Sequence, residues 1–275
     1  MKIKYYGTRG SIPTPGPTTV KYGGNTSCLR VQMKNDVIIL DAGSGLRQLG
    51  LDLMQQGFFE GKGRCSFFFS HVHWDHIQGI PFFLPAYIKG NSFDFYGSPN
   101  VSTTLEEVLA HQQHFLNFPI EFGDMPAKFN FLSFRDGEAV KIGPATVAGR
   151  KLHHPGGVFA YRVEEHGKSI VYATDTEHYS VPDWRLIDLA KNADLLIYDC
   201  NFTPDEYANK RRIGWGHSTY EEGIKIAREA KVKEFHMFHH DPLHSDDFLE
   251  EEILKPARKL FENSHLAREG WEFEI

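Results

Sequence analysis

The sequence predicts an α/β (α+β) chain in which two sheets pack face to face with helices on the outside. Three observations predict this. Strand-like runs dominate both halves, each half ends in helix, and the residues richest in metal-binding chemistry fall just after strands. The 275 residues are 41% hydrophobic and 24% charged, which is ample apolar residue for a sizeable core. No internal repeat, low-complexity tract or long linker interrupts them, so residues 1–275 are read as one domain.

Apolar runs bounded by turn residues predict strands at Lys2–Tyr6, Leu29–Met33, Val37–Leu40, Cys65–Ser70, Phe93–Tyr96, Lys128–Phe131, Thr146–Leu152, Phe159–Val163, Ser169–Ala173, Ala193–Tyr198 and Glu234–Phe238. Helical spacing predicts helices near Leu46–Gln56, Leu105–His114, Trp184–Asn192, Tyr220–Ala230 and Asp246–Phe261, the last split or kinked by Pro256. Ser218-Thr219-Tyr220-Glu221, at the head of the fourth helix, fits a capping box. The Gly/Pro-rich loop Thr8–Gly24 beside the first strand reads as a surface turn or as a loop lining a site.

Several classes of protein are disfavoured at once. No apolar run approaches the roughly 18 residues that a membrane span needs, and Met1–Tyr6 reads as a strand without the apolar segment of a secretory leader. Cys28, Cys65 and Cys200 are too few and too scattered for a disulfide framework or a zinc knuckle. A cytoplasmic location without membrane partners is the expectation. The net charge of −6 argues against a surface that grips long nucleic acid, because such binding relies on neutralising many phosphates. A small anionic substrate is compatible, since two bound divalent ions would add about four positive charges inside a site.

The most informative segment is Phe69-Ser70-His71-Val72-His73-Trp74-Asp75-His76. Zinc takes imidazole and carboxylate ligands, and two ions close together need ligands pointing two ways. In an extended loop, residues two apart share a face, so His71 and His73 can hold one ion together. Asp75 and His76 follow as the chain turns into a helix, where they can hold a second.

His-x-His-x-Asp-His after a strand is the hallmark of the metallo-β-lactamase superfamily, which this chain resembles. Further segments resemble the family's other motifs in order: Leu40-Asp41-Ala42-Gly43-Ser44-Gly45, Leu152-His153-His154-Pro155-Gly156, Tyr172-Ala173-Thr174-Asp175-Thr176-Glu177 and Phe238-His239-His240-Asp241-Pro242. The resemblance implies an αββα sandwich of two mixed sheets, with the site at one edge between them. It implies two Zn2+ per chain, Mn2+ or another divalent ion being an alternative. His71, His73 and His154 would bind one ion and Asp75, His76 and His239 the other, with Asp175 bridging and Asp41 supporting the ligand loops. Residue chemistry alone leaves His153 open beside His154, and His240 beside His239; the resemblance favours His154 and His239. The diiron oxidoreductase branch typically carries glutamate where His73 stands, so hydrolysis is expected over redox chemistry.

Two more segments resemble the ribonuclease Z-like phosphodiesterase branch: Trp215-Gly216-His217-Ser218-Thr219, and the strand Ala193–Tyr198 running into Asp199-Cys200. In that branch a histidine in the first context contacts the phosphate and an acid after the strand orients it, roles that fall here to His217 and Asp199, although the family acid is commonly glutamate. A water activated between the ions would attack phosphorus in line, with Asp75 handling its proton and His217 meeting the charge on the far side. Ribonuclease Z proper carries a long tRNA-holding arm, usually between the third and fourth motifs. Here His154 and Asp175 are 21 positions apart, and two strands joined by a tight Glu165-His166-Gly167-Lys168 turn fill the interval. The cysteine-bearing zinc site common in the cyclic-phosphonate enzymes has no support either. What remains resembles compact phosphodiesterases of the anti-Pycsar type, which open cyclic nucleotides. The expected substrate is a small phosphodiester and the expected assembly a homodimer, with Trp74, Trp215, Phe118 and Phe122 as candidates to stack on a base. The alternatives are a ribonuclease Z-type tRNA 3′ endonuclease and a thioesterase or lactonase of the same fold.

Overall fold

A computed structural model describes residues 1–98, 103–209 and 211–275. The described chain forms two seven-stranded sheets. The first holds β1 (Lys2–Gly7), β2 (Cys28–Gln32), β3 (Val37–Leu40), β4 (Arg64–Phe68), β5 (Ser92–Gly97), β6 (Lys128–Ser133) and, from the far end of the chain, β14 (Glu272–Glu274), in the order β14-β1-β2-β3-β4-β5-β6. The second holds β7 (Ala139–Ile142), β8 (Ala145–Leu152), β9 (Val158–Glu165), β10 (Lys168–Ala173), β11 (Leu195–Asp199), β12 (Glu234–Phe238) and β13 (Ser264–Leu266), in the order β13-β12-β11-β10-β9-β8-β7.

Both faces of the central strands are buried, which explains why they read as continuous apolar runs. In β3, Ile38 and Leu40 face the other sheet, whereas Val37 and Ile39 face the outer helical layer. Phe68 turns inward and Phe67 and Phe69 outward by the same alternation. The inner core includes Tyr5, Leu29, Phe68, Tyr161, Tyr172 and Phe238. Outside the first sheet lies α1 (Leu46–Met54), and outside the second lie α4 (Trp184–Ala190) and α6 (Tyr220–Glu229), giving the layer order expected of an αββα sandwich.

All eleven expected strands are present, with ends displaced by up to two residues. The sequence reading missed β7, β13 and β14. The last two are three residues long, too short for a periodic signal, and exist because partners pair with them: Met237↔Leu266 and Ile3↔Phe273. The Glu165–Lys168 turn is a two-residue hairpin with His166 at φ 51° and Gly167 at φ 75°, the conformation that matches strand twist. The C-terminal helix is divided into α7 (Asp246–Phe248), a π-helical stretch Leu249–Leu254 and α8 (Lys255–Leu260). Pro256 supplies the reason: it lacks an N–H and its ring crowds the carbonyl four residues earlier.

Two further helices are α3 (Leu105–Gln112), opened by a Thr104/Glu107 capping box, and α5 (Pro204–Asn209), which was not foreseen. A readable cue preceded α5, because Thr203 and Glu206 exchange capping hydrogen bonds at 3.0–3.2 Å. The residue expected to open a capping box, Ser218, is not the cap: Thr219, one position on, caps α6 by accepting from the Glu222 N–H. Ser218 is buried and its hydroxyl is occupied by Tyr198 and His178, both at 2.8 Å. No helix among the described residues is long and apolar enough to cross a membrane.

Candidate functional site

The site grows from one end of both sheets. β3 and β4 run parallel in one sheet, as do β10, β11 and β12 in the other. Asp41, the His71–His76 loop, Asp175, Asp199 and His239 all sit at or just after the C-terminal ends of these strands. In open α/β sheets that is where ligands bind, since the departing loops present their side chains there. Asp41, Asp175 and His239 carry φ of 59°, 49° and 59°. Left-handed backbone at three non-glycine strand exits costs roughly 1–3 kcal/mol each and is characteristic of functional sites.

α2 (Trp74–Ile77) starts directly after His73, which turns Asp75 and His76 away from His71 and His73. Two clusters result. His71, His73 and His154 form one, and Asp75, His76, Asp175 and His239 the other, the donor atoms within each lying within 4.8 Å of one another. The rings of His71 and His154 stand 4.7 Å apart, those of His73 and His154 4.9 Å, and those of His76 and His239 5.4 Å. Asp175 spans the clusters: Oδ1 lies 3.2 Å from His76 Nε2 and 3.1 Å from His239 Nε2, and Oδ2 lies 3.8 Å from His71 Nε2. His71 Nε2 is buried without a hydrogen-bond partner. His76 Nε2 is also without one in usable geometry, although carboxylate oxygens lie 3.2 Å away. Buried imidazole nitrogens left in this state, facing carboxylates, are what a pair of divalent ions would satisfy. The residues fit divalent metal binding, imidazole and carboxylate being donors for zinc and other transition ions.

The electrostatics agree. Burial pushes the His71 imidazole well down, keeping it neutral and able to ligate. For Asp175, burial opposes ionisation, but His239 and His76 outweigh it and hold the carboxylate well below its usual range. His76 moves up despite burial, because Asp175, Asp75 and Asp41 surround it with negative charge. Three buried carboxylates round one imidazole call for more positive charge, which ions would bring.

The neighbours of the clusters are themselves anchored. Asp41 Oδ2 accepts from His76 Nδ1, Ser70 Oγ and Tyr172 Oη, and Oδ1 from the Ser70 N–H, all at 2.7 Å. That fixes which His76 nitrogen faces inward. His154 Nδ1 donates to the Gly216 carbonyl at 2.8 Å, while His153 turns to Arg185, 2.8 Å away. His240 Nε2 donates to the Ala267 carbonyl at 2.9 Å, away from the clusters. The geometry therefore brings His154 and His239 to the centre and leaves His153 and His240 outside. From the Thr8–Gly24 loop, the Ser11 N–H donates to Asp75 Oδ2 at 2.7 Å, so that loop does line the site.

His217 lies over the second cluster, its ring stacked on His239 with centroids 4.9 Å apart at 23°. Its Nδ1 donates to Asp199 Oδ2 at 2.8 Å, and the Asn201 N–H to Oδ1 at 3.0 Å. With Nδ1 committed, Nε2 is the nitrogen left for a substrate. Burial lowers the His217 pKa, but the fully buried Asp199 carboxylate outweighs this and it is pushed up to about 9.

One site residue escaped the sequence reading. Glu177, 3% exposed, accepts from the Gly214 N–H at 2.6 Å, the Gly216 N–H at 2.8 Å and Tyr207 Oη at 2.9 Å, tying down the loop that carries His217. Of the aromatics proposed to stack on a base, Trp74 (76% exposed) is available, and Trp215 (55%) has one face covered by the Arg212 guanidinium, 4.3 Å from its centroid. Phe122 is not: it is buried in the outer core of the first sheet, and Phe118 packs against Phe82.

A family model described as "Beta-lactamase superfamily domain" matches residues 37–240. The chain is 26% identical to a protein of Picrophilus torridus described as "Ribonuclease Z", covering all of this chain and 96% of that one. That alignment runs to 318 positions, longer than the chain itself, so the relative has segments absent here. Among solved structures, the metallo-beta-lactamase fold protein YhfI from Bacillus subtilis superposes with a TM-score of 0.75 at 23% identity, over 100% of this chain and 98% of that one. A diphosphatase described as of the PhnP family superposes with a TM-score of 0.69 at 19% identity, over 100% and 97%. These two likenesses corroborate the fold.

Proposed function

The chain belongs to the beta-lactamase superfamily and has the metallo-β-lactamase fold of its hydrolases, and on that premise we propose that it is a two-metal phosphodiesterase acting on a small phosphodiester. The observation that carries the reading is the Asp199–His217 pair beside the two ligand clusters, with the imidazole held at Nδ1 and free to meet substrate through Nε2. A phosphodiester offers such a group two non-bridging oxygens and a leaving oxygen, whereas the thiolate of a thioester leaves without a proton donor.

The residues divide the work. His71, His73 and His154 would hold one ion and Asp75, His76 and His239 the other, with Asp175 between them. When bound, the ions would lower the pKa of a water and neutralise phosphate charge. Asp75, itself part of the second cluster, accepts from the Ser11 N–H and would also be the group to take a proton. His217 would donate to the phosphate oxygens as charge builds there. Lys151 lines both clefts that open beside His71 and His154, adding positive charge for an anionic substrate.

Cyclic mononucleotides head the substrate list. The two-residue β9–β10 turn leaves no arm between the third and fourth motifs, and the net charge is −6. Trp74 and Trp215 stand exposed, large enough to stack on one base. The Picrophilus relative keeps RNA processing as the arm of the test that discriminates. Zinc-loaded protein should be assayed on bis-p-nitrophenyl phosphate, cyclic mononucleotides, cyclic dinucleotides, a thioester and pre-tRNA. A higher kcat/KM on cyclic mononucleotides than on pre-tRNA is the expected result. Efficient 3′-trailer cleavage with inert cyclic nucleotides, or thioester hydrolysis with inert phosphodiesters, would overturn the assignment.

A further inference from the structure

We propose that Glu234, His236 and His265 form another divalent-metal site, at the edge of the sandwich away from the strand-end centre, suited to zinc or a similar borderline ion. Sequence alternation puts Glu234, His236 and Phe238 on the face of β12 that meets the other sheet, and β13 pairs in parallel with His236 directly opposite His265. Glu234 opens β12 and His239 follows its end, so about 16 Å of strand separates Glu234 from His239 and about 10 Å separates His236 from it.

The spacing is that of co-ligands. Donors bound tetrahedrally to zinc at about 2.0 Å lie roughly 3.3 Å from one another. His265 Nε2 and Glu234 Oε2 are 3.1 Å apart, matching the 3.1 Å of His239 and Asp75 and the 3.2 Å of His76 and Asp175. The rings of His236 and His265 stand 5.4 Å apart, as do those of His76 and His239. All three residues bring a donor atom within 4.8 Å of the others.

A second observation points the same way. His236 is 2% exposed and its Nδ1 lies 2.7 Å from the hydroxyl of the fully buried Tyr5. In the tautomer that binds an ion, Nδ1–H donates to that hydroxyl oxygen and Nε2 keeps its lone pair, the arrangement that orients metal-binding histidines generally. Trp271 stacks on the same ring at 4.6 Å and 23°, holding its plane. An ion pair between His265 and Glu234 alone would need neither the Tyr5 anchor nor the third residue. Glu234 and His265 keep side-chain exposures of 42% and 34%, so an ion can enter from solvent. Once bound, it would tie the short edge strand β13 to β12, closing an otherwise weakly held sheet edge.

The experiment compares wild type with His265→Ala and Glu234→Gln. Each protein is stripped with chelator, reloaded with excess Zn2+, desalted and measured for zinc per chain. Both variants should hold one zinc fewer than wild type, with kcat on bis-p-nitrophenyl phosphate within twofold of it. Thermal melting confirms that each is folded, and Glu234→Gln changes charge without changing volume. Equal zinc content in wild type and both variants would overturn the site. A drop accompanied by lost activity would also overturn it, because the zinc would then have come from the strand-end centre.

Discussion

The carboxylate of Glu177 accepts the backbone N–H of Gly216 at 2.8 Å, and the carbonyl of the same glycine accepts from His154 Nδ1, also at 2.8 Å. One buried acid thus holds a loop that orients a candidate ligand on one side and presents His217 on the other. Glu177→Ala would strand the buried Gly216 N–H, a loss of about 1–3 kcal/mol, and would release the exposed Gly214 from its tie. We expect metal affinity to fall by roughly 10–100-fold, as for other supports of ligating histidines, and kcat with it. Glu177→Gln, which keeps acceptor capacity, should recover part of both. Zinc titration with steady-state kinetics reads the difference, and unchanged affinity in Glu177→Ala would refute the clamp.

Asp175 touches both clusters. Two zinc equivalents are expected at the strand-end centre, and Asp175→Ala should lower occupancy there and abolish turnover. Full activity with a single ion at this centre would refute the allocation. Elemental analysis in the His265→Ala background isolates it from the edge site.

His217 belongs to neither cluster of the proposed ligand set. His217→Ala should therefore keep its metals while kcat falls by roughly 10²–10⁴-fold, the range for a positioned acid–base group. Asp199→Asn should act in the same direction and less strongly, since it loosens the imidazole without removing it. Normal turnover by His217→Ala on its best phosphodiester would remove the residue-level support for the assignment.

Gly10 lies against the site through absence of a side chain. A Cβ there would stand 2.5 Å from the fully buried His239 ring, so the two cannot both keep their places. Gly10→Ala should displace His239, reducing zinc affinity and turnover while the melting temperature changes little. Wild-type kinetics in this variant would show that the Thr8–Gly24 loop has room to spare.

The sequence by itself determined eleven of the fourteen described strands and the residues on offer to the candidate centre. Apolar runs such as Val37–Leu40 and Phe67–Phe69 need burial on both faces, which a sheet covered on both sides provides. His71, His73, Asp75 and His76 lie within six positions, so a strand exit and a helix start suffice to aim them, and both are local features. What the tertiary structure decided depends on contacts between distant segments. His153 and His154 are chemically equal neighbours, and only the Gly216 carbonyl and Arg185 separate their roles. Glu177 looked like one more acid after a strand until the Gly214–Gly216 loop folded onto it. Tyr5 and His236 are 231 positions apart, and no pattern along the chain announces that they touch. Periodicity and side-chain chemistry act over a few residues, whereas strand register, which sets these pairs, is settled only when the whole sandwich closes.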